Sequence, residues 1–275
     1  MAANQIEKGD YDIRLEVNST DELGRLTSSL NSMAAQLKRN DQLQKELIAN
    51  VSHELKAPLT IIRGYAETVK DVSWPDDAKR NASLDLIIDE SERLRSIVQD
   101  ILDYSQLQAG TIKLDPVAFA LRPLLDDVLL KLDQHISGKK LSLLVEGADS
   151  IVFFDRKRLQ QVIFNLVVNA IQYSYEASEI LIKMQTQTKF NQNVLRLSII
   201  NQGPEIPPSE LSAIWDRFHR SNQLRADEPI GTGLGLAIVK SIMDQHGSNY
   251  GVLSEDEHTE FWLELPVILS ASPQG

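Results

Sequence analysis

A histidine followed by a glutamate, His53 and Glu54, is the first residue pair in the sequence that suits group-transfer chemistry. On a helical wheel of about 100° per residue, His53 points away from the apolar stripe, so we expect its ring to face solvent. The carboxylate can hold one ring nitrogen protonated, which leaves the other as a nucleophile. Pro58 lies inside the helical pattern, at a cost of about 3 kcal/mol, and predicts a local kink. An exposed histidine taken alone is more often an ordinary surface residue.

The segment GTGLGLAIVK, residues 231–240, places three glycines at alternate positions before a predicted helix. Glycine allows a positive φ and close backbone approach, and a helix N-terminus offers free N–H groups at its positive end. Phosphate would suit such a turn, although a turn that merely enters a helix has the same pattern. The segment lacks the Gly-Lys-Ser/Thr end of a P-loop and follows no βαβ strand, which disfavours both P-loop and dinucleotide-binding folds.

Two asparagines, Asn165 and Asn169, lie four residues apart in an otherwise apolar helical pattern, so their amides share one helix face. Buried amides need partners, and these two could pair within a core. Alternatively, their oxygens could serve Mg²⁺ and the phosphates of ATP, because Mg²⁺ prefers oxygen ligands. The segment NQGPEIPP, residues 201–208, ends a strand and by itself predicts only a turn.

Long amphipathic helices must position the histidine. A leucine-rich seam at spacings of three and four predicts a coiled-coil-like helix from about Asp21. Ser19, Thr20 and Asp21 are candidate caps, and Ser19 with Glu22 matches a capping box. The apolar stripe around the histidine comprises Leu47, Val51, Leu55, Ile62, Tyr65 and Val69. The pattern runs to about Lys70, breaks at VSWPDD and resumes to about Gly110, which predicts a helical hairpin. Since a lone hairpin leaves its stripe half exposed, we expect a homodimer that forms a four-helix bundle.

The texture of the sequence changes from Asp115 onward. Residues 121–136 and the runs RKRLQQVIFNLVVNAIQ and GLGLAIVKSIMDQH predict helices. The runs LSLLVEG, SIVFFD, EILIKMQTQ, VLRLSIIN and EFWLELPV predict strands, because β-branched and aromatic residues dominate them. Together these elements predict one α/β domain with a mixed sheet packed on helices. The polar residues 221–233 predict a mobile loop that runs into a helix.

Composition excludes several classes of protein. The 275 residues suit two modest domains, and the net charge of -11 disfavours binding to nucleic acid. The absence of cysteine excludes disulfides and thiolate metal sites. No stretch of about 18 apolar residues occurs, and the N-terminus is too polar for a signal peptide, so we expect a soluble chain.

In this order, the segments resemble the sensor histidine kinases of two-component systems. NVSHELKAPLT, residues 50–60, resembles their phosphoacceptor box, and NLVVNAIQYS, residues 165–174, their asparagine box. NQGPEIP, WDRFHR and GTGLGLAIVK resemble the first glycine, phenylalanine and second glycine boxes. Residues 9–40 resemble the second half of a HAMP signal-relay module. Each box alone is weak, but five in register are specific.

The resemblance implies three domains. These are a partial HAMP segment over 1–40, a dimerisation and phosphotransfer hairpin over 41–112, and an ATP-binding α/β sandwich over 113–275, with the fold of gyrase, Hsp90 and MutL. It implies that the γ-phosphate of ATP, with Mg²⁺ as cofactor, phosphorylates His53 and that Glu54 activates the histidine. The phosphoryl group would then pass to an aspartate of a response regulator. Because HAMP modules normally follow a transmembrane helix, we expect a cytoplasmic fragment of a receptor in the cell membrane.

The resemblance also implies roles for the nucleotide-binding residues. Asn165 would ligate Mg²⁺ and Asn169 would contact the phosphates. Asn201 would meet the adenine amino group, and Gly203 would let the backbone approach the base. The other implied nucleotide-binding residues are Gln172, Arg217, Arg220, Gly231, Thr232, Gly233, Leu234 and Gly235, with 221–230 as the mobile part of a lid.

The sequence departs from the family pattern at three places. Asn201 replaces an aspartate that accepts from adenine, and Glu205 replaces the second glycine of that box. Gln172 stands where many members have a lysine, so one phosphate-neutralising charge is missing. Ala57 stands where many members have a threonine or asparagine that positions a water for dephosphorylating the regulator. This last change predicts weak phosphatase activity.

The sequence leaves two other interpretations open. The chain could be a degenerate kinase that holds nucleotide and signals by conformation alone, which the Asn201, Glu205 and Gln172 changes favour. It could instead be an ATPase of the gyrase or Hsp90 type, although that class has no use for an exposed His-Glu pair on a helical hairpin. A mass shift on His53 would separate the kinase from both.

Overall fold

The computed structural model describes most of the chain. The described residues are 11–16, 19, 21–71, 77–108, 113–189, 192–217 and 233–268. The chain divides into two compact units, Met1–Leu94 and Arg95–Gly275. The predicted domain boundaries at residues 40 and 112 stay predictions.

Two long helices in succession, α1 (Glu22–Asp71) and α2 (Asp77–Gln108), supply the predicted hairpin. Asp21 caps α1, because its Oδ1 accepts from the backbone N–H groups of Leu23 at 3.0 Å and Gly24 at 3.2 Å. Ser19 Oγ accepts from the N–H of Asp21 at 3.2 Å instead of bonding to the first turn. Of the predicted cap candidates, Asp21 is therefore the cap, and the Ser19 hydroxyl bonds to the N–H of Asp21 and not to that of Glu22.

Helix α1 runs for 50 residues and passes through Pro58 without ending. Pro58 is buried and His53 is exposed, as the helical wheel predicts for the histidine. The kink predicted at the proline stays a prediction. No helix in the described ranges is both long enough and apolar enough to cross a membrane.

The second unit holds the last turns of α2 followed by an α/β domain. Its elements are β1 (Pro116–Ala120), α3 (Leu121–Gly138), β2 (Ser142–Glu146), β3 (Ile151–Asp155), α4 (Arg156–Tyr173), β4 (Glu179–Lys189), β5 (Gln192–Gln202), a 3₁₀ turn (Ala213–Trp215), α5 (Gly235–Gln245), β6 (Tyr250–Glu255) and β7 (His258–Pro266). All three predicted helices and all five predicted strands are present. Strands β1 and β6 were not predicted, because β1 is short and begins with proline and β6 contains Gly251.

A five-stranded mixed sheet organises this domain, which confirms the predicted α/β class. Its strand order is β2-β4-β5-β7-β6, with β2 parallel to β4 and the other pairs antiparallel. Strands β1 and β3 form a separate antiparallel pair. Helices α3, α4 and α5 contribute apolar side chains to a core shared with the sheet, including Leu125, Leu159, Leu166, Ile238, Ile182, Leu197 and Leu263.

The Trp262 side chain forms a small platform on strands β5, β6 and β7. Its indole lies against Gly251, its register partner on β6. The Arg196 guanidinium carbon lies 4.5 Å from the ring centroid, and Arg196 Nη2 bonds Glu260 Oε1 at 2.9 Å. The ring is therefore held between a glycine and a paired cation and has little room to move.

We predict that Gly251→Ala lowers the free energy of unfolding by about 1–3 kcal/mol, the usual cost of overpacking a filled site. A Cβ at this position would lie 2.5 Å from Cζ2 of Trp262, and the rigid indole cannot yield as a flexible chain would. Urea unfolding of the two proteins measures the difference.

Gly138→Ala is the matched control. Nothing lies within 4 Å of a Cβ built at Gly138, which is the last residue of α3, so the same substitution should leave stability equal or slightly higher. Equal stability of Gly251→Ala and the parent would contradict the packing described for Trp262.

Candidate active site

Helix α4 carries a polar face above the apolar core. Asn165, Asn169 and Tyr173 follow one another at intervals of four residues and are half buried, so they lie along one side of the helix. The opposite side, with Ile163 and Val167, is fully buried. The two asparagines therefore do not form a satisfied pair deep in the core.

Both ends of α4 are fixed by side chains. At the N-terminus, Asp155 Oδ1 accepts from the N–H of Arg158 at 3.1 Å, which is an N-cap. At the C-terminus, Lys139 Nζ donates to the carbonyl oxygens of Ile171 at 3.1 Å and Gln172 at 2.7 Å, where a cation also suits the helix dipole. These contacts fix the position of the polar face.

One end of the polar face meets the start of α5. Asn165 Nδ2 donates to the carbonyl oxygen of Gly235, the first residue of α5, at 3.2 Å. Gly233 has a φ of +68°, so the turn into the helix uses a conformation that favours glycine. Because Nδ2 is the donor to Gly235, Oδ1 is the atom through which Asn165 could ligate a cation.

The other end of the polar face meets the turn after β5. A Cβ at residue 203 would lie 1.9 Å from the carbonyl oxygen of Tyr173, so only glycine fits against the end of α4. The turn is fixed by hydrogen bonds from the Gly203 N–H to Glu257 O and from the Tyr175 N–H to Gln202 O, both 2.8 Å long. Packing thus gives one reason for the glycine, and its predicted contact with a base stays a prediction.

Asn201 lies beside this turn with an unsatisfied polar atom. Its side chain is 2% exposed, and within the described ranges no group hydrogen-bonds to its Oδ1. A buried acceptor without a donor costs about 1–3 kcal/mol, so it is typical of a position that a ligand completes. The neighbouring register partners are Ile180 on β4 and Thr259 on β7.

The two ends of the polar face are separated by a length that suits a nucleotide. Asn165 and Tyr173 are eight residues apart, which at about 1.5 Å per residue is about 12 Å along the helix. A base could lie near Asn201 while phosphates lie near the first turn of α5. Gln172 is half buried near the same end as Tyr173.

Two hydroxyl residues near Asn201 were not predicted from the sequence. Thr259 and Ser254 are buried, and their hydroxyl oxygens are 2.9 Å apart. Ser254 Oγ also accepts from the N–H of Ile206 at 2.9 Å, which ties the turn after β5 to β6. A buried threonine opposite an asparagine could be found only once the strand register is known.

Arg217 contacts the end of α2. Its guanidinium carbon lies 4.8 Å from the centroid of the Tyr104 ring. Two hydrogen bonds join the same turns of α2 to the domain, from Gln161 Nε2 to Asp103 Oδ2 at 2.8 Å and from Gln245 Nε2 to the Leu107 carbonyl at 2.9 Å. The predicted positions Arg220, Gly231 and Thr232 and the predicted lid, 221–230, lie outside the described residues.

The predicted reactive pair lies in the other unit. His53 is exposed on α1, and Glu54 is half buried beside it. Ala57 is exposed one turn further along the helix. The first unit therefore presents a histidine that a second molecule or domain could reach, with a carboxylate next to it in sequence.

The N-terminus of α4 and the C-terminus of α5 are joined by His246. Its ring stacks on Phe154 at a centroid distance of 3.7 Å, and its Nε2 accepts from the N–H of Asp155 at 3.4 Å. Nδ1 lies 2.9 Å from the carbonyl oxygen of Ile242, so it carries the proton. Burial lowers the pKa of His246, since the charged ring would lose solvation, and the nearby carboxylate of Asp155 only partly opposes this.

Three family models match the chain. Residues 1–39 match the HAMP domain, residues 43–110 match the His Kinase A (phospho-acceptor) domain, and residues 154–269 match the Histidine kinase-, DNA gyrase B-, and HSP90-like ATPase. The matches occur in the order that the sequence motifs predict.

Two curated relatives are sensor proteins. The sensor histidine kinase YclK of Bacillus subtilis is 30% identical over 97% of this chain and 57% of its own length. The sensor protein SrrB of Staphylococcus aureus is 34% identical over 82% of this chain and 38% of its own length. The chain thus spans about half the length of the curated relatives it matches.

Solved structures of histidine kinases are similar to this chain. The histidine kinase ThkA, solved in complex with the response regulator protein TrrA, has a TM-score of 0.63 and 29% identity over 84% of this chain and 64% of that one. Full-length ShkA in complex with AMPPNP has a TM-score of 0.58 and 26% identity over 83% of this chain and 47% of that one. The Acinetobacter baumannii histidine kinase AdeS shares the fold, with a TM-score of 0.63 and 23% identity over 78% of this chain and 97% of that one.

We predict that the junction at His246 loses stability as the pH falls. Because the pKa of His246 is lower in the folded chain than in the unfolded chain, the unfolded chain takes up the proton first. The stability that the neutral ring of His246 contributes is fully present above about pH 6.5, the pKa of an unperturbed histidine. It is lost as the pH falls from there through the pKa that His246 has in the folded chain. Urea unfolding at pH 7 and pH 5 should show a larger loss for the parent than for His246→Gln.

His135→Gln is the control for this experiment, since His135 is exposed on α3. The free energy of unfolding of His135→Gln should change between pH 7 and pH 5 by the same amount as that of the parent. An identical pH dependence in the parent and His246→Gln would show that the buried ring is not the titrating group.

Proposed function

This chain belongs to the sensor histidine kinases of two-component systems, and from that premise we propose that it transfers the γ-phosphoryl group of ATP to His53 and then to an aspartate of a response regulator. One observation carries the proposal. The polar face of α4 ends at an unsatisfied buried oxygen on Asn201 and begins where Asn165 contacts the first residue of α5. This arrangement supports a base site near Asn201 on β5 and a phosphate site near the N-terminus of α5, at the two ends of α4.

ATP would lie along α4. Its base would meet Asn201 and Gly203, and its phosphates would meet Asn169 and the turn Gly233–Gly235 at the N-terminus of α5. The ATPase family match supports this placement, as does the ShkA neighbour solved with AMPPNP. The remaining implied contacts, Gln172, Arg217, Arg220, Gly231, Thr232 and Leu234, are part of the same proposal.

Mg²⁺ would be held by Asn165 Oδ1 together with oxygens of the phosphates. The amide oxygen is a hard, neutral ligand of the kind that Mg²⁺ accepts. When bound, the cation would offset the charge that develops on the transferred group. The chain's own contribution is to hold Oδ1 in place through the Nδ2 bond to Gly235.

His53 would act as the nucleophile. Glu54 would accept a hydrogen bond from one ring nitrogen, so that the other nitrogen keeps its lone pair. That nitrogen forms the N–P bond as the P–O bond to ADP breaks, and the phosphohistidine then passes the group to a regulator aspartate. The exposure of His53 supports this role, because both the nucleotide and the regulator must reach the ring.

We also propose the partners that the family implies. The ThkA neighbour was solved with a response regulator, which supports a receiver domain as the partner of this chain. The half-covered stripe of α1 supports a homodimer, since Val51, Leu55 and Ile62 are only half buried in one chain. The HAMP match supports signal input from the N-terminal side and a parent protein in the cell membrane.

We predict that incubation with Mg²⁺ and γ-labelled ATP labels the parent and not His53→Gln. The label should survive base and be lost in acid, as a phosphoramidate is. His135→Gln is the matched control and should label like the parent, because that exposed histidine lies on α3. Equal label on the parent and His53→Gln would reject His53 as the acceptor.

No label on either protein, with nucleotide binding intact, would favour a signalling module without catalysis. The amides Asn201 and Gln172, which replace charged residues of the family pattern, would then be the first candidates for the cause.

We predict that Ala57→Thr raises phosphatase activity several-fold. The methyl group of Ala57 is exposed and cannot hydrogen-bond a water, whereas a threonine hydroxyl at this position could. The substrate is any response regulator that accepts the phosphoryl group from this chain, and the measurement is loss of label from that regulator with time.

The control is Ala66→Thr, an exposed position on the same helix, which should leave the rate unchanged. Rapid dephosphorylation by the parent itself would contradict the role given to position 57.

A further inference from the structure

We propose that Asn201 makes the nucleotide site accept 6-oxopurine nucleotides as well as 6-aminopurine nucleotides. The inference rests on the proposed function, because it takes the base to lie at Asn201. It concerns the substrate class of that site, namely purine nucleoside polyphosphates that carry either an amino group or an oxygen at position 6.

The side chain of Asn201 points toward the core. Alternate residues of β5 turn into the core, with Leu195 and Leu197 at 0% exposure and Ile199 at 1%. Asn201 continues this row at 2% exposure. The amide therefore ends an apolar row, and bulk water does not satisfy it.

No hydrogen bond from the described residues holds the side-chain oxygen of Asn201. Within the described residues Oδ1 of Asn201 has no hydrogen bond, so its orientation is not dictated by the protein on that side. Nδ2 lies 3.2 Å from the point where a side chain of residue 203 would begin, and glycine leaves that point empty. The amide group can thus exchange its two ends by a half-turn about its last bond.

The residues that pair with Asn201 on the two neighbouring strands are uncharged. The register partners of Asn201 are Ile180, which has no polar atom in its side chain, and Thr259, whose hydroxyl is engaged by Ser254 at 2.9 Å. Neither is charged. No neighbour in the register therefore imposes a preference for a donor or for an acceptor on the ligand.

Adenine and hypoxanthine present exchanged donors and acceptors at position 6 and at N1. Adenine presents a donor at its 6-amino group and an acceptor at N1, whereas hypoxanthine presents an acceptor at O6 and a donor at N1–H. An amide has one acceptor end and one donor end, so it pairs with either edge after a half-turn. A carboxylate has acceptors only, so its oxygen next to position 6 accepts from the 6-amino group of adenine but faces the lone pairs of O6 in hypoxanthine.

The size of the effect follows from this difference. A buried site rejects a ligand strongly when the ligand leaves polar groups unpaired. Since the amide stays paired with both bases, we expect the parent to bind the two nucleotides within about tenfold of each other. A carboxylate at position 201 should widen the ratio at least tenfold in favour of the 6-aminopurine.

The test is calorimetric titration of the whole chain with ADP and with IDP in the presence of Mg²⁺. The parent should bind IDP no more than about tenfold more weakly than ADP. Asn201→Asp should bind IDP at least tenfold more weakly relative to ADP than the parent does. Asn81→Asp, which adds the same charge at an exposed position on α2, should keep the parent's ratio.

Two results would overturn the inference. One is a parent that binds IDP more than tenfold more weakly than ADP, which needs no variant and so does not depend on the folding of Asn201→Asp. The other is an unchanged ratio in a folded Asn201→Asp protein.

The same samples separate this inference from the proposed function. Label on His53 from ATP with rejection of IDP would remove the inference alone. The expected binding ratios without label on His53 would remove the kinase activity and leave the inference standing. Failure to bind either diphosphate would remove both.

Discussion

The rotational setting of helix α4 is the constraint on which the nucleotide site depends. Leu159 and Leu166 on the helix are fully buried in the core shared with the sheet, and that burial fixes which side faces outward. Asn165 and Asn169 then lie on the outer side at the spacing of one turn. A rotation of about 100°, the angle of one residue, would bury amides and expose leucines, so the apolar packing and the site geometry are set by the same contacts.

Local sequence predicted the elements better than it predicted their contacts. The α4 pattern and the strand runs were sufficient for the fold class, since periodicity and composition are local properties. Strand β6 escaped because Gly251 weakens the pattern, and the structure gives the glycine a distant cause, the indole of Trp262. The bond from Lys139 to the end of α4 could not be predicted either, because its partners are more than thirty residues away.

The site shows the same division. Asn165 and the glycines before α5 were identified separately, and only the structure shows that Asn165 donates to Gly235. Arg217 was among the implied nucleotide-binding residues, and its guanidinium lies over Tyr104 of α2. A single arginine can thus link the nucleotide domain to the turns of α2 that precede it. The proposed contact of Arg217 with the nucleotide and its contact with Tyr104 would involve the same guanidinium group.

The two amides that replace charged residues, Asn201 and Gln172, change the site in opposite electrostatic senses. In the proposed site, one removes a negative charge near the base, and the other removes a positive charge near the end of α4. A carboxylate at 2% exposure would need a strong partner before any ligand binds, since an unpaired buried charge costs far more than an unpaired amide. As a neutral amide, Asn201 avoids most of that cost. The consequence in the proposed site is a chain that is easier to keep folded without nucleotide and that has less means of rejecting a base whose donor and acceptor are exchanged.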